Sequence, residues 1–352
     1  MATRKDVAAA AGVSVTAVTR ALNNSGYISA DKRDRIIRIA KELGYDPNPV
    51  AVSLYTGRSN HIMFYHEDLT GAYMIQMLHG IMRQSAKKGY YLMTEIQENI
   101  NFHKSKELLI DGIIFVSEYV ARKYMADIGS NFHIPSVAIV ENPDTKFSKS
   151  TPIILNDNAV IIEKAINYLH GKGHVRIGYA GLSRTEKDDW RYSYWKIWAK
   201  QRFGDGYRDF AFLPNLLHES DEKPEIWFNR QISYGFSYSS CVSDGRKAAR
   251  MYAESGRRAT ALIAYNDDMA HAMIKEFELL GIRVPEDVSV MGIDGTYIRD
   301  RENYVLTSVG TFPDRTGAMA VDLLLDVIEG KNDKYRVRTK PKILEGNTVK
   351  SL

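Results

Sequence analysis

Residues 4–23 read RKDVAAAAGVSVTAVTRALN, and this stretch decides how the amino-terminal part of the chain folds. Apolar residues recur at helical spacing on both sides of Gly12, which predicts two short amphipathic helices. Gly12 suits the left-handed residue that ends the first helix, and Ser14 is placed to cap the second. Val13 and Val18 can pack across that cap as a hydrophobic staple. Such a short turn between two helices is typical of a helix-turn-helix.

The second of these helices carries residues suited to reading DNA. At about 100° of rotation per residue, its apolar residues fall on one side, namely Val18, Ala21 and Leu22. The outward side carries Thr16, Thr19 and Arg20, with Val15 at its edge. In a major groove, Arg pairs with guanine edges and an apolar group meets a thymine methyl. The alternative interpretation is a pair of alanine-rich surface helices.

The excess of positive over negative charge is confined to the same part of the chain. Residues 1–60 carry nine Lys or Arg and five acidic residues, whereas the other 292 residues carry 38 of each sign. The net charge of +4 therefore lies where phosphates are expected, as binding by counterion release requires.

The remaining composition favours a cytoplasmic protein with no membrane partner. No apolar run approaches the roughly 20 residues that span a bilayer, and Asp6 lies inside what would be a signal sequence. The single cysteine, Cys241, agrees with a reducing compartment. Without a phosphate loop, a GxGxxG turn or a His pair at metal spacing, the sequence predicts no catalytic residue, cofactor or metal. We interpret His174, after Gly173, as a strand-edge residue rather than a catalytic one.

A third helix and a short linker complete the amino-terminal region. Ser29 is a cap for a helix that runs to about Leu43 and is ended by Gly44. Its expected core residues are Ile36, Ile37, Ala40 and Leu43. Two prolines then break the helix before residues 51–56, AVSLYT, which are too few to hold a helix alone, since about 12 to 15 are needed. We expect this segment to order only when supported; the alternative is an ordinary linker.

From His61 onward, apolar strands alternate with helices. The first set has strands over 61–67, 90–93, 111–116 and 135–140. Its helix over 74–88 turns inward Ile75, Leu78, Ile81 and Met82. After a helix over 159–170, the second set has strands over 175–180, 207–212, 260–265 and 288–293. Continuous β-branched runs between helices predict an α/β fold with two doubly wound parallel-sheet lobes behind a three-helix headpiece.

The string DVAxxAGVSxxxVxRxLN over residues 6–23 resembles the headpiece of the lactose-repressor (LacI/GalR) family. Ala17 and Thr19 stand where the family usually has Thr and Ser, which affects the expected base preference rather than the fold. Further similar pieces lie at 111–114, 173–177, 260–270 and 284–294, so the resemblance covers nearly the whole chain. It implies lobes of the periplasmic-binding-protein type.

The resemblance also implies a division of the chain. Residues 1–46 would form the DNA-binding headpiece, 47–59 the hinge and 60–352 the effector-binding domain. The first lobe would comprise about 60–155 plus 309–332, and the second about 156–308 plus 333–346.

In this family, paired hinge helices lie over the operator centre, where a leucine matching Leu54 wedges into the minor groove and kinks the duplex. Thr16 and Arg20 would read bases, and the positions matching Asn23 and Ser29 touch the DNA backbone. The expected DNA-binding residues are Thr3, Ser14, Val15, Thr16, Thr19, Arg20, Asn23, Ser29, Ala51 and Leu54.

Polar residues beyond the carboxyl ends of strands are the candidates for ligand binding. The resemblance implies effector contacts from Arg191, Asn266 and Asp294, with Tyr73 and Glu141 lining the pocket. Carboxylates and an Arg beside aromatic rings suit a sugar.

Each of these positions also has a structural interpretation. Asp267 could be a helix N-cap, Asp294 a turn residue and Tyr73 a core residue. The aromatic residues around Arg191 could stack on a sugar or pack their helix; they are Trp190, Tyr192, Tyr194, Trp195 and Trp198.

The sequence therefore predicts a homodimeric transcriptional repressor rather than an enzyme. It would bind a pseudo-palindromic double-stranded operator, with an affinity set by a small-molecule effector, taken here as a sugar. The alternatives are a corepressor-dependent regulator that responds to a purine or a partner protein, a solute-binding receptor without a DNA role, and a doubly wound enzyme.

Overall fold

The computed structural model divides the chain into two compact units, Met1–Ser59 and Asn60–Leu352. It describes residues 2–22, 26–46, 52–53, 56–66, 69–96, 102, 108–129, 134–147, 151–182, 189–214, 238–331 and 335–352. Within these ranges, no helix is both long enough and apolar enough to cross a membrane.

The first unit contains the three predicted helices. They are α1 (Arg4–Ala11), α2 (Val15–Leu22) and α3 (Ala30–Glu42). Gly12 ends α1 with a φ of +61°, a left-handed conformation that only glycine adopts without strain. The shared core consists of Val7, Ala8, Ala11, Val18, Ala21, Ile36 and Ala40.

Two predicted core positions of α3 are wrong. Ile37 and Leu43 are exposed, whereas Ile39 packs against the core. From Ile36, the same helix face continues at the third and fourth residues onward, and Ile37 is rotated by about 100° away from it. Leu43 follows the last helical residue, so its side chain leaves the core.

The first lobe of the second unit is built on a six-stranded sheet. Its strands are β1 (His61–His66), β2 (Tyr91–Ile96), β3 (Gly112–Phe115), β4 (Ser136–Val140), β5 (Ile153–Leu155) and β11 (Arg336–Arg338). They lie in the order β11-β5-β4-β3-β1-β2, and every pairing is parallel. The covering helices are α4 (Ala72–Lys87), α5 (Glu118–Ile128) and α10 (Pro313–Ile328).

The second lobe repeats this plan. Its strands are β6 (Ile177–Ala180), β7 (Ala211–Phe212), β8 (Ala261–Ala264), β9 (Ser289–Asp294), β10 (Thr307–Gly310) and β12 (Lys342–Leu344), and its helices are α6 (Asn158–Gly171), α7 (Trp190–Phe203), α8 (Tyr238–Glu254) and α9 (Asp267–Leu279). The order is β12-β10-β9-β8-β6-β7, with β12 antiparallel to β10. The doubly wound α/β prediction is confirmed for both lobes.

Three local predictions for this unit are wrong. Residues Gly204–Phe210 form a 3₁₀ helix, and only Ala211–Phe212 pair as a strand, because Gly and Asp disfavour a strand there. Met82 is 50% exposed, whereas Met77 is fully buried. β11 pairs with β5 in the first lobe, although residues 333–346 were predicted to lie in the second. β10, which includes residues 309 and 310, belongs to the second lobe.

Candidate DNA-binding face and interlobe site

The exposed side of α2 presents most of the residues predicted to read bases. Val15 is 40% exposed, and Thr16 and Arg20 are exposed. The Arg20 side chain lies over Gly26, because a Cβ added to Gly26 would come within 3.2 Å of Arg20 Cδ. Val18 and Ala21 hold the opposite side of α2 in the core. One face of this helix is therefore free to meet a groove while the other fixes its position.

Two other predicted DNA-binding residues cap the helices of this unit. Thr3 forms a capping box with Asp6: its backbone nitrogen donates to Asp6 Oδ2 over 2.7 Å, and its Oγ1 accepts from the Asp6 backbone nitrogen. These hydrogen bonds with Thr3 lower the pKa of Asp6. Ser14 Oγ accepts from the Ala17 backbone nitrogen at the start of α2. Both residues are exposed, so capping leaves them at the surface.

Thr19 does not point away from the core, as the sequence predicted. It is only 7% exposed, and its hydroxyl donates to the Val15 carbonyl over 3.1 Å. A Thr hydroxyl commonly bonds to the carbonyl four residues earlier in its own helix. Ser29 begins α3 without a side-chain cap bond and is exposed. The predictions for Asn23, Ala51 and Leu54 lie outside the described residues.

Arg191 and Asp294 form a buried ion pair at the carboxyl ends of the second sheet. Arg191 Nη2 lies 2.9 Å from Asp294 Oδ1, and both side chains are about 5% exposed. The guanidinium also donates to the Tyr265 carbonyl and stacks over its ring, 4.9 Å from the centroid. Asp294 ends β9 with a φ of +105°, a conformation that costs free energy for any residue other than glycine. The fold therefore holds this carboxylate in a strained position against Arg191.

Asn158 connects this ion pair to the first lobe, and a second asparagine, Asn156, bonds to Tyr73 of the first lobe. Arg191 Nε donates to Asn158 Oδ1 over 3.2 Å, and Asn158 Nδ2 donates to Glu141 Oε2 over 3.3 Å. Asn156 Nδ2 donates to the Tyr73 hydroxyl over 2.7 Å. We call these residues the interlobe site: Tyr73, Glu141, Asn156, Asn158, Arg191 and Asp294.

The electrostatics of the interlobe site are those of a desolvated cluster. Burial raises the pKa of Asp294 to about 7, although the ion pair with Arg191 opposes this shift. Burial also raises the pKa of Tyr73 far above its ordinary value, and the negative charges of Asp294 and Glu141 add to the effect. The Tyr73 hydroxyl therefore keeps its proton and can donate it to a hydrogen bond.

The remaining predicted ligand residue, Asn266, has structural partners. Its Oδ1 accepts from the Met269 nitrogen over 2.8 Å and caps α9, and its Nδ2 lies 3.4 Å from Cys241 Sγ. The interpretation of Asp267 as that cap is wrong, because Asp267 instead accepts from Thr296 and Ser308. Burial raises the pKa of Asp267 to about 6, despite these hydrogen bonds.

The aromatic residues near Arg191 separate into two groups. Tyr192 and Trp195 are buried and stack with each other in the second-lobe core, so they pack α7. Trp190, Tyr194 and Trp198 are only partly buried.

His174 is fully buried between Thr260 Oγ1 and the Lys350 carbonyl, each 3.0 Å away, which is a structural position. Among the residues described, no group of three or more His, Cys, Asp or Glu could hold a metal ion.

Family models match both units of the chain. Residues 3–48 match the bacterial regulatory proteins of the lacI family, and residues 166–349 match the periplasmic binding protein-like domain. The chain belongs to the lacI family. It is a DNA-binding transcriptional regulator and not an enzyme, so the prediction of family and general function is confirmed.

Curated relatives of this lacI-family chain align over its full length. "HTH-type transcriptional repressor PurR" of Aliivibrio salmonicida is 27% identical over 359 residues, which cover 100% of both chains. The protein of the same name from Pasteurella multocida is 28% identical, over 100% of this chain and 99% of its own.

Solved structures of the family share the fold. The Lac repressor bound to ONPG in the repressed state superposes with a TM-score of 0.75 at 20% identity, with 99% of each chain covered. The complex of the transcriptional regulator CelR with cellobiose gives a TM-score of 0.61 at 19% identity, covering 99% of this chain and 100% of that one.

Sequence reasoning missed several residues of the interlobe site and its surroundings. Asn156 and Asn158 belong to the run Asn-Asp-Asn that directly follows β5, and Asp189 caps α7 while accepting from Tyr179. The signal for the asparagines was present, because polar residues at the carboxyl end of a buried strand are ligand candidates.

Proposed function

We propose that this regulator represses transcription by placing α2 in the major groove of its operator. Thr16 and Arg20 read base edges, and Val15 contacts a thymine methyl, while the excess positive charge of the first unit binds phosphates. The observation that carries this proposal is the exposed Thr16 and Arg20 side of α2, whose other side is locked into a three-helix core. The names of the curated relatives, which are transcriptional repressors, support the repressor assignment.

We propose further that the regulator works as a cytoplasmic homodimer on a pseudo-palindromic site. One helix reads only a short half-site, so two copies related by a two-fold axis would read two halves. Residues 47–59 would act as the hinge, with Ala51 and Leu54 against the DNA and Asn23 and Ser29 on its backbone. A solved structure of similar fold is the Lac repressor dimer bound to operator, which supports this assembly.

We infer that the interlobe site binds the effector, a sugar. Arg191 and Asp294 offer a donor and an acceptor side by side, and a buried carboxylate can bind vicinal hydroxyls. Glu141 and Tyr73 add polar groups from the first lobe. Solved relatives bound to cellobiose and to ribose support a sugar in this fold. Effector binding would change the lobe arrangement and so the pairing of the hinges, since a few kcal/mol of differential affinity shifts a two-state element.

The second candidate is a corepressor-dependent regulator that binds DNA only with a purine or a partner protein. The observation that favours it is that full-length relatives in several bacteria carry the name PurR. The two candidates make opposite predictions for DNA binding when the ligand is added.

The experiment is a gel-shift titration on a duplex selected from a random pool by the protein itself. D-ribose, cellobiose, hypoxanthine and guanine are added in separate series. Release of the duplex by a sugar supports the proposed function, and recruitment by a purine base supports the corepressor candidate. A protein that selects no duplex in any series would contradict both.

A further inference from the structure

One polar atom of the interlobe site has no partner within the described residues. Asn156 is 3% exposed and directly follows β5, and its backbone nitrogen donates to the Val140 carbonyl. Its side-chain Nδ2 donates to the Tyr73 hydroxyl, but its Oδ1 is buried and accepts no hydrogen bond. A buried acceptor left unpaired costs free energy, so such an atom requires an explanation.

The Tyr73 hydroxyl beside it has an unused donor. Its oxygen accepts from Asn156, yet among the described residues its proton is donated to none. The charges of Asp294 and Glu141 act on this hydroxyl and add to the rise in its pKa that burial causes. An unused donor and an unused acceptor therefore lie on two side chains of one site that are hydrogen-bonded to each other.

We propose that the Tyr73 hydroxyl and the Asn156 side-chain oxygen form a donor–acceptor pair that binds one polar edge of the effector. The inference rests on the proposed effector role of the interlobe site and adds Asn156 to it as a specificity-determining residue. The Tyr73 O–H donates to an acceptor atom of the ligand, and Asn156 Oδ1 accepts from an adjacent O–H or N–H.

Two ligand chemistries present such an edge. A sugar hydroxyl both accepts and donates, and the cis-amide edge of a 6-oxopurine has a carbonyl beside an N–H. An ether or a methylated position cannot donate to Asn156, and it would leave the amide oxygen buried and unpaired. Sites that hydrogen-bond a ligand group reject analogues that lack it far more strongly than apolar pockets reject a missing methylene.

The test compares Tyr73→Phe, Asn156→Leu and the double variant with wild type in the full-length protein. Thermal shift and calorimetric titration use D-ribose, cellobiose, hypoxanthine and guanine, so that a sugar and a purine are distinguished. For the probe that stabilises wild type, each single variant weakens binding tenfold or more. The double variant loses about as much affinity as the single variant with the larger loss, because both residues bind the same edge of the ligand. Unchanged affinity in both single variants overturns the proposal.

A second measurement without ligand provides a result even if none of the probes binds. The double variant Tyr73→Phe, Asn156→Leu leaves the melting temperature unchanged or raises it, because it removes the unpaired acceptor together with both partners of the hydrogen bond between the two side chains. Tyr252→Phe is the matched control, since the buried Tyr252 hydroxyl donates to the Ala259 carbonyl over 3.0 Å, and its loss lowers the melting temperature. A drop in the double variant as large as that of the control overturns the proposal. DNA binding by the same variants is measured in parallel, so a failure of the repressor function is recognised separately.

Discussion

The ion pair between Arg191 and Asp294 is buried on both sides, so removing one member should destabilise the protein more than removing both. Arg191→Met leaves the Asp294 carboxylate buried without its cation, and we expect a loss of about 3 to 5 kcal/mol in the free energy of unfolding. The double variant Arg191→Met, Asp294→Leu should recover most of this loss, because no buried charge remains. Calorimetric melting of the three proteins measures this; a single variant as stable as wild type would contradict a desolvated ion pair.

A second prediction for a single residue concerns Arg20 and is measured as DNA binding. Arg20→Ala should cost about 1 to 3 kcal/mol of binding free energy on the selected duplex and little on a scrambled one, because base contacts carry specificity. Arg38→Ala is the control, since Arg38 lies on α3 and faces Glu42 at 4.0 Å on the surface. Equal losses for Arg20→Ala on both duplexes would mean that Arg20 only holds the backbone.

Residue positions could be predicted where a strand end or a helix face determines them. Arg191 and Asp294 were both expected at the interlobe site, and Thr16 and Arg20 on the outside of α2. The prediction for Thr19 was wrong because its hydroxyl donates to a carbonyl of its own helix. The spacing of residues along the sequence does not predict this hydrogen bond. The cap of α9 was assigned one residue late, since Asn266 and Asp267 are both good cap residues.

At the scale of elements, the amino terminus of α4 lies against a residue of the other lobe. Gly71 offers α4 no side-chain cap, and a Cβ added to Gly71 would lie 3.7 Å from Oδ2 of Asp268 of α9, which is 6% exposed. Nearby, the Tyr297 nitrogen donates to Gln76 Oε1 of α4 over 3.0 Å. These contacts link the two lobes, and moving the lobes apart would break them.

Asp268→Ala should speed hydrogen exchange in the first turn of α4 and at Tyr297 by roughly fivefold or more, as the loss of about 1 kcal/mol of stabilisation at a helix amino terminus implies. The matched control is Ser117→Ala, which removes the cap of α5 within the first lobe, where Val120 donates to Ser117 Oγ over 3.2 Å. Only the first variant should affect exchange in both lobes. Unchanged exchange at α4 in Asp268→Ala would show that this contact does not hold the lobes.

Asp268 and His271, one turn apart on α9, predict a pH dependence. Burial raises the pKa of Asp268 from 3.8 to about 6, so its contribution to stability is full below pH 3.8 and is lost as the pH rises through 6. Burial lowers the pKa of His271 from 6.5 to about 4, so its contribution is present above pH 6.5 and is lost as the pH falls through 4.

The contributions of Asp268 and His271 to stability oppose each other between pH 4 and 6. A substitution that removes one of these groups should reveal the contribution of the other. In Asp268→Asn, the free energy of unfolding should fall more steeply on acidification than in wild type, by up to about 2 kcal/mol over this range. His271→Gln should show the opposite change. Chemical denaturation at several pH values tests this, and equal slopes in all three proteins would rule out the assigned pKa shifts.

Helices and strands whose apolar residues recur at a clear period could be predicted from sequence, and elements with a weak pattern could not. The helices of the first unit and the apolar strands β1, β3, β4, β8 and β9 were found within a few residues. Residues 207–212 contain aromatic residues three apart, which suit either a short strand or the observed 3₁₀ helix. The Gly and Asp residues of Gly204–Phe210 disfavour the strand, and Tyr207 and Phe210 pack the 3₁₀ helix against the second-lobe core.

At the scale of the whole molecule, the chain passes between the lobes after β5, after β10 and between β11 and β12. The first two passages follow from the repeated α/β pattern. The third could not be predicted, because β11 and β12 have only three residues each and are partly buried, so their sequences do not show which sheet they join. The cross-lobe hydrogen bonds of Asn158 and Tyr297 likewise depend on the assembled lobes.

The most direct measurement of the whole regulator is selection of duplexes from a random pool by the purified full-length protein, with and without small molecules. We predict enrichment of one pseudo-palindromic sequence, and at least a tenfold change in its affinity when D-ribose, cellobiose, hypoxanthine or guanine is added. A protein that prefers no duplex over random competitor DNA under any of these conditions would contradict the proposed operator-binding, ligand-controlled function.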